Sequence, residues 1–438
     1  MMYVLIIPNM TNAEIIKLVK REVIPAIGCT EPMAVALCTA YSARTLGKTP
    51  ESMEIALSAN ILKNAMGVGI PGTGMTGLPI AVALGALYGK SEYGLEVLKE
   101  VTPEKVAQGK EYIAKNRISI TLKEGITEKL YIEVCCRAGE ESSTAIIAKD
   151  HTNLIYLDSK RAGGLDVVKD SRSVLDETES EPEEEELTLK QVYDFATTAP
   201  LADIEFINEA RRLNEEASNR ALKGNYGHNL GKTLTRPLGR GVMGDSIFSH
   251  ILAATSCACD ARMAGAMIPV MCNSGSGNQG IAATMPVVVF ARENHNTEEE
   301  LTRALMLSHL TAVYIKQSLG RLSALCGCVV AATGSSCGIT WLMGGSYEQV
   351  SYSVKNMIAN LAGIVCDGAK PSCSLKVSSG VSTAVLSAIM AIQNDVVTSV
   401  EGIIEDDVDK SIHNLTRVGS QGMNETDRLI LDIMTHKG

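Results

Sequence analysis

Large aromatic side chains and positive charge are both scarce in this sequence. It has one Trp and four Phe among 438 residues, and acidic residues outnumber basic ones, so the formal net charge is −10. A chain of this charge binds polyanions poorly, which argues against nucleic acid and anionic membrane surfaces as its main partners. The balance fits a soluble enzyme or a small-molecule binding protein.

Segments for export or membrane insertion are also lacking. Residues 1–8 contain no basic stretch, and their apolar run is too short for a signal peptide. No apolar stretch approaches the length of about 18 residues that a membrane span needs. We therefore expect a cytoplasmic protein whose twelve cysteines are reduced thiols, several of them packed as small core residues.

The composition and the hydrophobic pattern predict a mainly α catalytic domain with an inserted small α/β domain. Hydrophobic residues make up 45% of the chain, enough for a sizeable core, and the length suits two or three domains. Helical patterns are interrupted by alternating, strand-like segments and then by an acidic, proline-containing run. The predicted parts are the first helical part at 1–90, the α/β insert at 91–175, the acidic linker at 176–186 and the second helical part at 187–438.

Cys29 lies at the start of a predicted helix. In the run Gly28-Cys29-Thr30-Glu31-Pro32, Thr30 is a suitable N-cap and the proline falls within the first helical turn. The positive end of a helix dipole lowers the pKa of a thiol, so the pattern predicts a thiolate at Cys29. A cysteine that packs beside the cap as a core residue is the alternative.

A loop of small and amide side chains directly precedes an apolar helix. Backbone N–H groups at a helix N-terminus, with Ser and Asn donors around them, bind carboxylates well. The loop is therefore predicted to bind the carboxylate of a substrate, because a solvent-exposed turn fits poorly with the apolar sequence on both sides. Its residues are Asn273, Ser274, Gly275, Ser276, Gly277, Asn278 and Gln279.

Three cysteines at turns are candidate ligands of a metal cluster. An apolar run ends at Cys366, a turn at 367–371 follows, and Cys373 precedes the next helical pattern. Cys326 lies next to a glycine in equally apolar surroundings. Thiolates are soft ligands that suit iron–sulfur clusters, and three of them without a fourth would leave one iron open for chemistry.

The spacing of these cysteines leaves alternatives open. It matches neither the tight runs of ferredoxins nor the paired cysteines of structural zinc sites. Cys328 or Cys337 could replace Cys326 as the third ligand, and all of these cysteines could instead be buried, inert thiols.

Five motifs occur in a fixed order along the chain. They are Gly28-Cys29-Thr30-Glu31-Pro32, the glycine-rich loop at 66–77, the loop that begins at Asn273, and the segments 321–327 and 366–373. Together they resemble the L-cysteine desulfidases, which are relatives of the iron–sulfur L-serine dehydratase alpha chain. The resemblance covers most of the chain outside the acidic run.

This resemblance implies an enzyme independent of pyridoxal phosphate that converts L-cysteine to sulfide, ammonia and pyruvate. By motif position, Cys326, Cys366 and Cys373 would hold a 4Fe-4S cluster and Cys29 would be the catalytic thiol. The open iron would act as a Lewis acid on the substrate sulfur, and Cys29 would remove the α-proton as a general base.

Three other functions stay open at this point. Serine dehydration could use the same residues. A redox or sensor protein would need a fourth protein ligand and no anion-binding loop. A small-molecule binding module could reside in the α/β insert, with the helical part inert. The small side chains of the later helices would equally suit a homodimer interface.

Overall fold

The computed structural model describes residues 10–126, 128–175, 187–320 and 323–436. The predicted acidic linker at 176–186 lies outside the described residues, and so do residues 1–8 and the first two residues of the motif at 321–327.

Helices make up most of the described chain. Several begin with a capping box, in which a Ser or Thr at the N-cap and the residue three positions later satisfy each other's backbone N–H groups. The α-helices are α1 (Asn12–Glu22), α2 (Thr30–Leu46), α3 (Ala59–Ala65), α4 (Leu78–Tyr88), α5 (Pro103–Lys115), α6 (Leu189–Thr198), α7 (Leu201–Ile204), α8 (Asn208–Lys223), α9 (Leu230–Leu234), α10 (Pro237–Met243), α11 (Ile247–Met263), α12 (Gly277–Glu293), α13 (Glu298–Leu319), α14 (Gly327–Leu342), α15 (Tyr347–Leu361), α16 (Cys373–Ile392), α17 (Val408–Arg417) and α18 (Asn424–Thr435).

The strands of the described chain form two sheets. The smaller sheet pairs β1 (Pro25–Ile27) antiparallel with β8 (Pro269–Met271), which ties the segment before α2 to the segment before α12. The larger sheet has the order β3-β2-β4-β5-β6-β7, in which only β2 and β3 run parallel. Its strands are β2 (Ser52–Leu57), β3 (Arg117–Leu122), β4 (Tyr131–Ala138), β5 (Glu141–Ala148), β6 (Leu154–Arg161) and β7 (Gly164–Asp170).

The predicted fold class is confirmed, but the α/β region begins earlier in the chain than residue 91. One hydrophobic core is formed by residues between Met33 and Leu157 together with Leu431 of α18, and it includes α2, α3 and α4 and the sheet. Strand β2 lies within the stretch that the sequence analysis assigned to helices. Its alternating Met53, Ile55 and Leu57 are buried, and they are the period-2 signal that the analysis missed. A second, larger core is formed mainly by the helices from α6 to α17.

One helix of the described chain, α16, is long and apolar enough to cross a membrane by length and composition. Half of its most apolar window is buried, and it packs against α11, α14 and α15, as a core helix does. An apolar segment of this length was not predicted from the sequence, because serines and a glycine interrupt it.

Candidate active site

A cavity of about 120 Å³ is lined by residues of α2 and α3, which belong to the first core, and of α11, α12, α14 and α16, which belong to the second. An engineered cavity of about 150 Å³ binds benzene, so this volume suits a small organic molecule. Residues from four of the five sequence motifs line it, and the glycine-rich loop at 66–77 does not. The fold thus brings together segments that are far apart in the sequence.

The amino-terminal wall of the cavity contains Cys29. Gly28 turns the chain with a φ of +75°, which favours glycine, and Cys29 then occupies the N-cap of α2. Its side chain makes no cap hydrogen bond to the helix. The thiol Sγ instead donates to Oε2 of Glu31 at 2.8 Å, and both residues are buried.

Glu31 is held in place from several sides. Its Oε2 also accepts a hydrogen bond from the Thr30 hydroxyl at 3.0 Å, and its Oε1 accepts one from the Asn64 amide at 3.2 Å. Burial raises the pKa of Glu31. The charge of His151, the hydrogen bond from Cys29 and the charge of Arg262 together lower it by more than burial raises it, so the net shift is downward. Glu31 is therefore a buried carboxylate in its ionised form.

The predicted lowering of the Cys29 pKa is wrong. Burial raises the pKa of the Cys29 thiol well above its ordinary value, and the neighbouring charge of Glu31 raises it further. The charge of Arg262 opposes this shift without reversing it. The helix begins close to where the sequence predicted it, with Cys29 and not Thr30 at the N-cap. Loss of solvation outweighs the helix dipole at a buried thiol. Cys29 is a protonated donor in the free protein.

The loop predicted to bind a carboxylate forms a tight turn before α12. Ser274 and Gly275 adopt positive φ values of 47° and 78°, and Asn273 and Ser276 exchange backbone hydrogen bonds across the turn. Ser276 caps α12 by accepting from the N–H of Gln279 at 3.4 Å. The N-terminus of α12, with its partial positive charge, therefore lies at the cavity.

Five of the seven predicted loop residues line the cavity, and Asn273 and Gly277 do not. The Asn273 side chain is fully buried and donates to Nδ1 and to the backbone oxygen of His309. Asn273 therefore anchors the loop and does not line the cavity, which corrects its predicted role as a substrate ligand. The lining residues of the loop are Ser274, Gly275, Ser276, Asn278 and Gln279.

Arg262, at the end of α11, is a cavity residue that the sequence analysis missed. It is buried, and its guanidinium donates to the Asn278 side chain at 3.1 Å. Its Nε has no hydrogen-bond partner in the part of the chain that the structure describes. Gly277 permits this position, because a Cβ there would overlap the Arg262 side chain. A buried guanidinium beside a helix N-terminus is suited to a carboxylate.

Besides the amino-terminal wall and the loop before α12, the cavity has a third wall. It carries the three predicted cysteine ligands, Cys326, Cys366 and Cys373, and all three line the cavity. The backbone N–H of Cys326 donates to the oxygen of residue 364 at 2.9 Å, and that of Cys366 donates to the oxygen of residue 324 at 2.6 Å. The thiols of Cys326 and Cys366 are hydrogen-bonded to each other. Cys373 begins α16, and its thiol is 3.6 Å from the backbone oxygen of Gly368.

The exposure of these cysteines separates them from most of the others. Eight of the twelve cysteines are buried, and the four that are only partly buried are Cys135, Cys326, Cys366 and Cys373. Cys135 lies in β4, far from the cavity lining. Partly exposed thiols that share one cavity are accessible to a ligand, whereas thiols buried in a core are not.

The donor set fits an iron–sulfur cluster in chemistry and number. Among the described ranges no three Cys, His, Asp or Glu side chains converge as they would around a single metal ion. A cluster does not require this, because each cysteine binds a different iron atom. The pKa of Cys366 is raised by its hydrogen bond to Cys326 and by burial, and burial raises that of Cys373. Such thiols lose their protons when they bind a cationic metal centre.

Two lysines supply positive charge beside these cysteines. Nζ of Lys63, on α3, is 3.4 Å from the backbone oxygen of Cys366, and Nζ of Lys376 is 2.7 Å from that of Val365. Both lysines are also ion-paired, with Asp427 and Asp367 respectively. Cationic side chains next to a cluster offset the negative charge of its thiolates.

The two alternative ligands lie differently. Cys328 lines the cavity and its thiol is hydrogen-bonded to that of Cys326. Cys337 is fully buried in α14, near Thr311 and Ser353, and does not line the cavity. The geometry therefore favours Cys326 or Cys328 over Cys337 as the third ligand.

Comparison with known proteins extends over nearly the whole chain. The model of the family described as serine dehydratase alpha chain matches residues 92–432. This chain belongs to the serine dehydratase alpha chain family. Serine dehydratases are lyases. The matched range contains the loop before α12 and all three cysteines of the third wall, but not Cys29 or Glu31.

Several relatives include the amino-terminal wall as well. A UPF0597 protein of Bacteroides thetaiotaomicron is 68% identical over 430 residues, which are 97% of this chain and 98% of the relative. A UPF0597 protein of Porphyromonas gingivalis is 54% identical over 98% of this chain and 99% of its own length. One of Aeromonas hydrophila is 45% identical over 97% and 96%. This member of the serine dehydratase alpha chain family therefore matches these relatives over almost its full length.

Proposed function

We propose that this protein is an L-cysteine desulfidase that eliminates sulfide from L-cysteine, with a 4Fe-4S cluster held by Cys326, Cys366 and Cys373. The observation that carries the proposal is one cavity that all of these groups line. On one side it has three partly exposed thiols, and on the other a thiol hydrogen-bonded to a carboxylate. Arg262 and the N-terminus of α12 complete the lining.

Each part of this lining suits one part of an α-amino acid. The guanidinium of Arg262 and the N–H groups at the start of α12 would bind the α-carboxylate, which orients the Cα–H bond. Cys29 would accept the α-proton as the general base. A cluster with one iron that lacks a protein thiolate supplies a Lewis acid for the leaving sulfur.

The reaction is balanced without a further reactant except water. The α-proton leaves the substrate carbon, the Cβ–S bond breaks with its electron pair on sulfur, and sulfide and aminoacrylate result. Aminoacrylate then takes up water and yields pyruvate and ammonia. Enclosure of the small substrate in a buried cavity fixes the geometry of the first step.

Serine dehydration is the second candidate, and the family description favours it. It would use the same residues, with the hydroxyl of serine as the leaving group. We place cysteine first because sulfur is a softer ligand for iron than a hydroxyl oxygen. A redox or sensor protein is less consistent with the lining, since a buried guanidinium and the loop before α12 at the cavity serve no electron transfer.

The test is a comparison of the two substrates on anaerobically reconstituted protein. We expect equimolar sulfide and pyruvate from L-cysteine, with a higher kcat/KM than for pyruvate release from L-serine. A higher kcat/KM for serine would replace the first candidate by the second. Release of pyruvate from neither amino acid would refute both.

A further inference from the structure

We infer that Glu31 takes the proton of the Cys29 thiol, so that the two side chains act together as the base. Glu31 is then a positioning residue, because it acts on the substrate through Cys29. This inference rests on the proposed function and names the group that prepares its base.

The contact between the two side chains is direct and buried. Cys29 Sγ is 2.8 Å from Glu31 Oε2, and the two residues are 3% and 8% exposed. A Glu in the first turn of a helix usually faces solvent and interacts with the helix dipole. Here the carboxylate turns back towards the N-cap residue, and hydrogen bonds from Thr30 and Asn64 fix both of its oxygens.

The pair solves a difficulty in the proposed chemistry. A protonated thiol cannot accept a proton from carbon, and burial keeps Cys29 protonated in the free protein. A carboxylate at hydrogen-bond distance provides a place for the thiol proton. In other enzymes a nucleophilic side chain is likewise activated by a base within hydrogen-bond distance.

The proton transfers balance in two steps. The Cys29 proton moves to Oε2 of Glu31, which leaves a thiolate at Sγ and a neutral carboxylic acid. The thiolate then accepts the α-proton of the substrate, which restores the thiol. The pair has gained one proton overall, and Glu31 releases it after the product has left.

The titratable and charged groups around the pair come from three segments outside α2. Arg262 on α11 and His151, between β5 and β6, act electrostatically on Glu31, and Arg262 also acts on Cys29. Cys272, which follows β8, is influenced by both Arg262 and Glu31. Positive charge on Arg262 and His151 keeps Glu31 ionised until it receives the thiol proton.

The first experiment uses Glu31→Gln, which keeps the shape of the side chain but cannot accept a proton. We expect kcat with L-cysteine to fall by about 10²–10⁴-fold, the usual contribution of a general base. We expect the double variant Cys29→Ser with Glu31→Gln to be hardly slower than Cys29→Ser alone, since residues that act as a unit are not additive. If the two losses in kcat instead multiply in the double variant, Glu31 acts independently of Cys29, and the inference is overturned.

The second readout does not depend on turnover. The rate at which iodoacetamide alkylates Cys29 is followed against pH in the reconstituted full chain, by mass spectrometry of the Cys29 peptide. Removal of the adjacent negative charge should lower the midpoint in Glu31→Gln by at least about one pH unit. Glu54→Gln, on the exposed surface of β2, is the control, for which we expect the wild-type midpoint and kcat.

The two proposals fail in different ways. If wild-type protein releases sulfide and Glu31→Gln keeps the wild-type kcat, the pair is refuted and the proposed function stands. If wild-type protein converts neither amino acid, the proposed function is refuted. The alkylation midpoint still decides the pair in that case, since an unchanged midpoint in Glu31→Gln overturns it and a lowered one supports it.

Discussion

Cysteine thiols occur on two walls of the same cavity, and different charged side chains lie beside them. On the third wall, Lys63 and Lys376 lie beside the segment that carries Cys366, each paired with an aspartate. On the amino-terminal wall, the neighbour of Cys29 is the carboxylate of Glu31. The net pKa shift is upward at both thiols. The charge of Lys63 opposes the rise that the hydrogen bond to Cys326 and burial cause at Cys366, whereas the charge of Glu31 adds to the rise that burial causes at Cys29.

This difference teaches that residue type alone does not assign a role to a cysteine. Positive surroundings stabilise thiolates and the anionic cluster that they would hold. A carboxylate beside a thiol keeps the thiol protonated and provides an acceptor for its proton. The same side chain can therefore be a metal ligand on one wall and an acid–base group on the other.

The largest expected effect comes from removing a proposed cluster ligand on the third wall. In the proposed function Cys366 is one of three ligands, so we expect Cys366→Ala to lose the visible charge-transfer absorption of the reconstituted protein together with all turnover. Absorption spectra and iron content after anaerobic reconstitution measure this. Cys135→Ala is the matched control, because Cys135 is equally only partly buried but lies in β4 away from the cavity. Equal absorption in both variants would remove Cys366 from the ligand set.

Cys29→Ser replaces the thiol on the amino-terminal wall. A serine hydroxyl is a far weaker acid than a thiol, so kcat should fall by about 10²–10⁴-fold while the absorption of the cluster is retained. Sulfide release and visible spectra on the same sample separate the two effects. Full activity in Cys29→Ser would remove this residue as the base. Loss of the absorption would instead indicate that Cys29 contributes to cluster binding.

Gly277→Ala tests the guanidinium between the two walls. The new Cβ would overlap the Arg262 side chain and displace it from the cavity. We expect KM for L-cysteine to rise by about tenfold or more, as for loss of a hydrogen bond to a charged group, with a smaller change in kcat. Arg262→Lys should act in the same direction, because lysine lacks the planar fork that matches a carboxylate. An unchanged KM in both variants would refute this assignment.

The smallest effect concerns the support of the loop before α12. Burial lowers the pKa of His309 to about 3, so the folded protein holds this imidazole neutral between Asn273 and Thr284. As pH falls from about 6.5, the unfolded chain binds a proton that the folded one does not. The free energy of unfolding should therefore fall by up to about 1.4 kcal/mol per pH unit until pH reaches about 3.

Urea unfolding at several pH values measures this slope. His309→Gln can still hydrogen-bond Asn273 but cannot titrate, so the share of the slope due to His309 should be absent in that variant. Identical slopes in both proteins would show that His309 contributes nothing to the acid sensitivity of the fold.

Much of the site could be predicted from local sequence, because its residues lie in distinctive turns. The cysteines at 326, 366 and 373, the loop before α12 and the helix start at Cys29 were all found in this way. Arg262 could not be found, since it occurs in an ordinary helical pattern and only tertiary packing against Gly277 brings it to the cavity. The signal for Glu31 was present in the motif, but its contact with Cys29 depends on a side-chain direction that the sequence does not give.

The two errors have different physical causes. The pKa of Cys29 was predicted from the helix dipole, a local effect, and burial, a tertiary effect, reversed it. Strand β2 carried a local signal in its alternating buried residues. Its pairing with β3 and β4, which lie more than 50 residues further along the chain, is not contained in the local pattern.

The most direct test of the account is the product balance of the reconstituted protein with L-cysteine. Wild-type protein and Cys366→Ala are reconstituted side by side without oxygen, and sulfide, pyruvate and ammonia are measured together. We expect equal amounts of all three products from wild type and none from Cys366→Ala. A wild-type protein that holds its cluster and releases no sulfide from L-cysteine would contradict it.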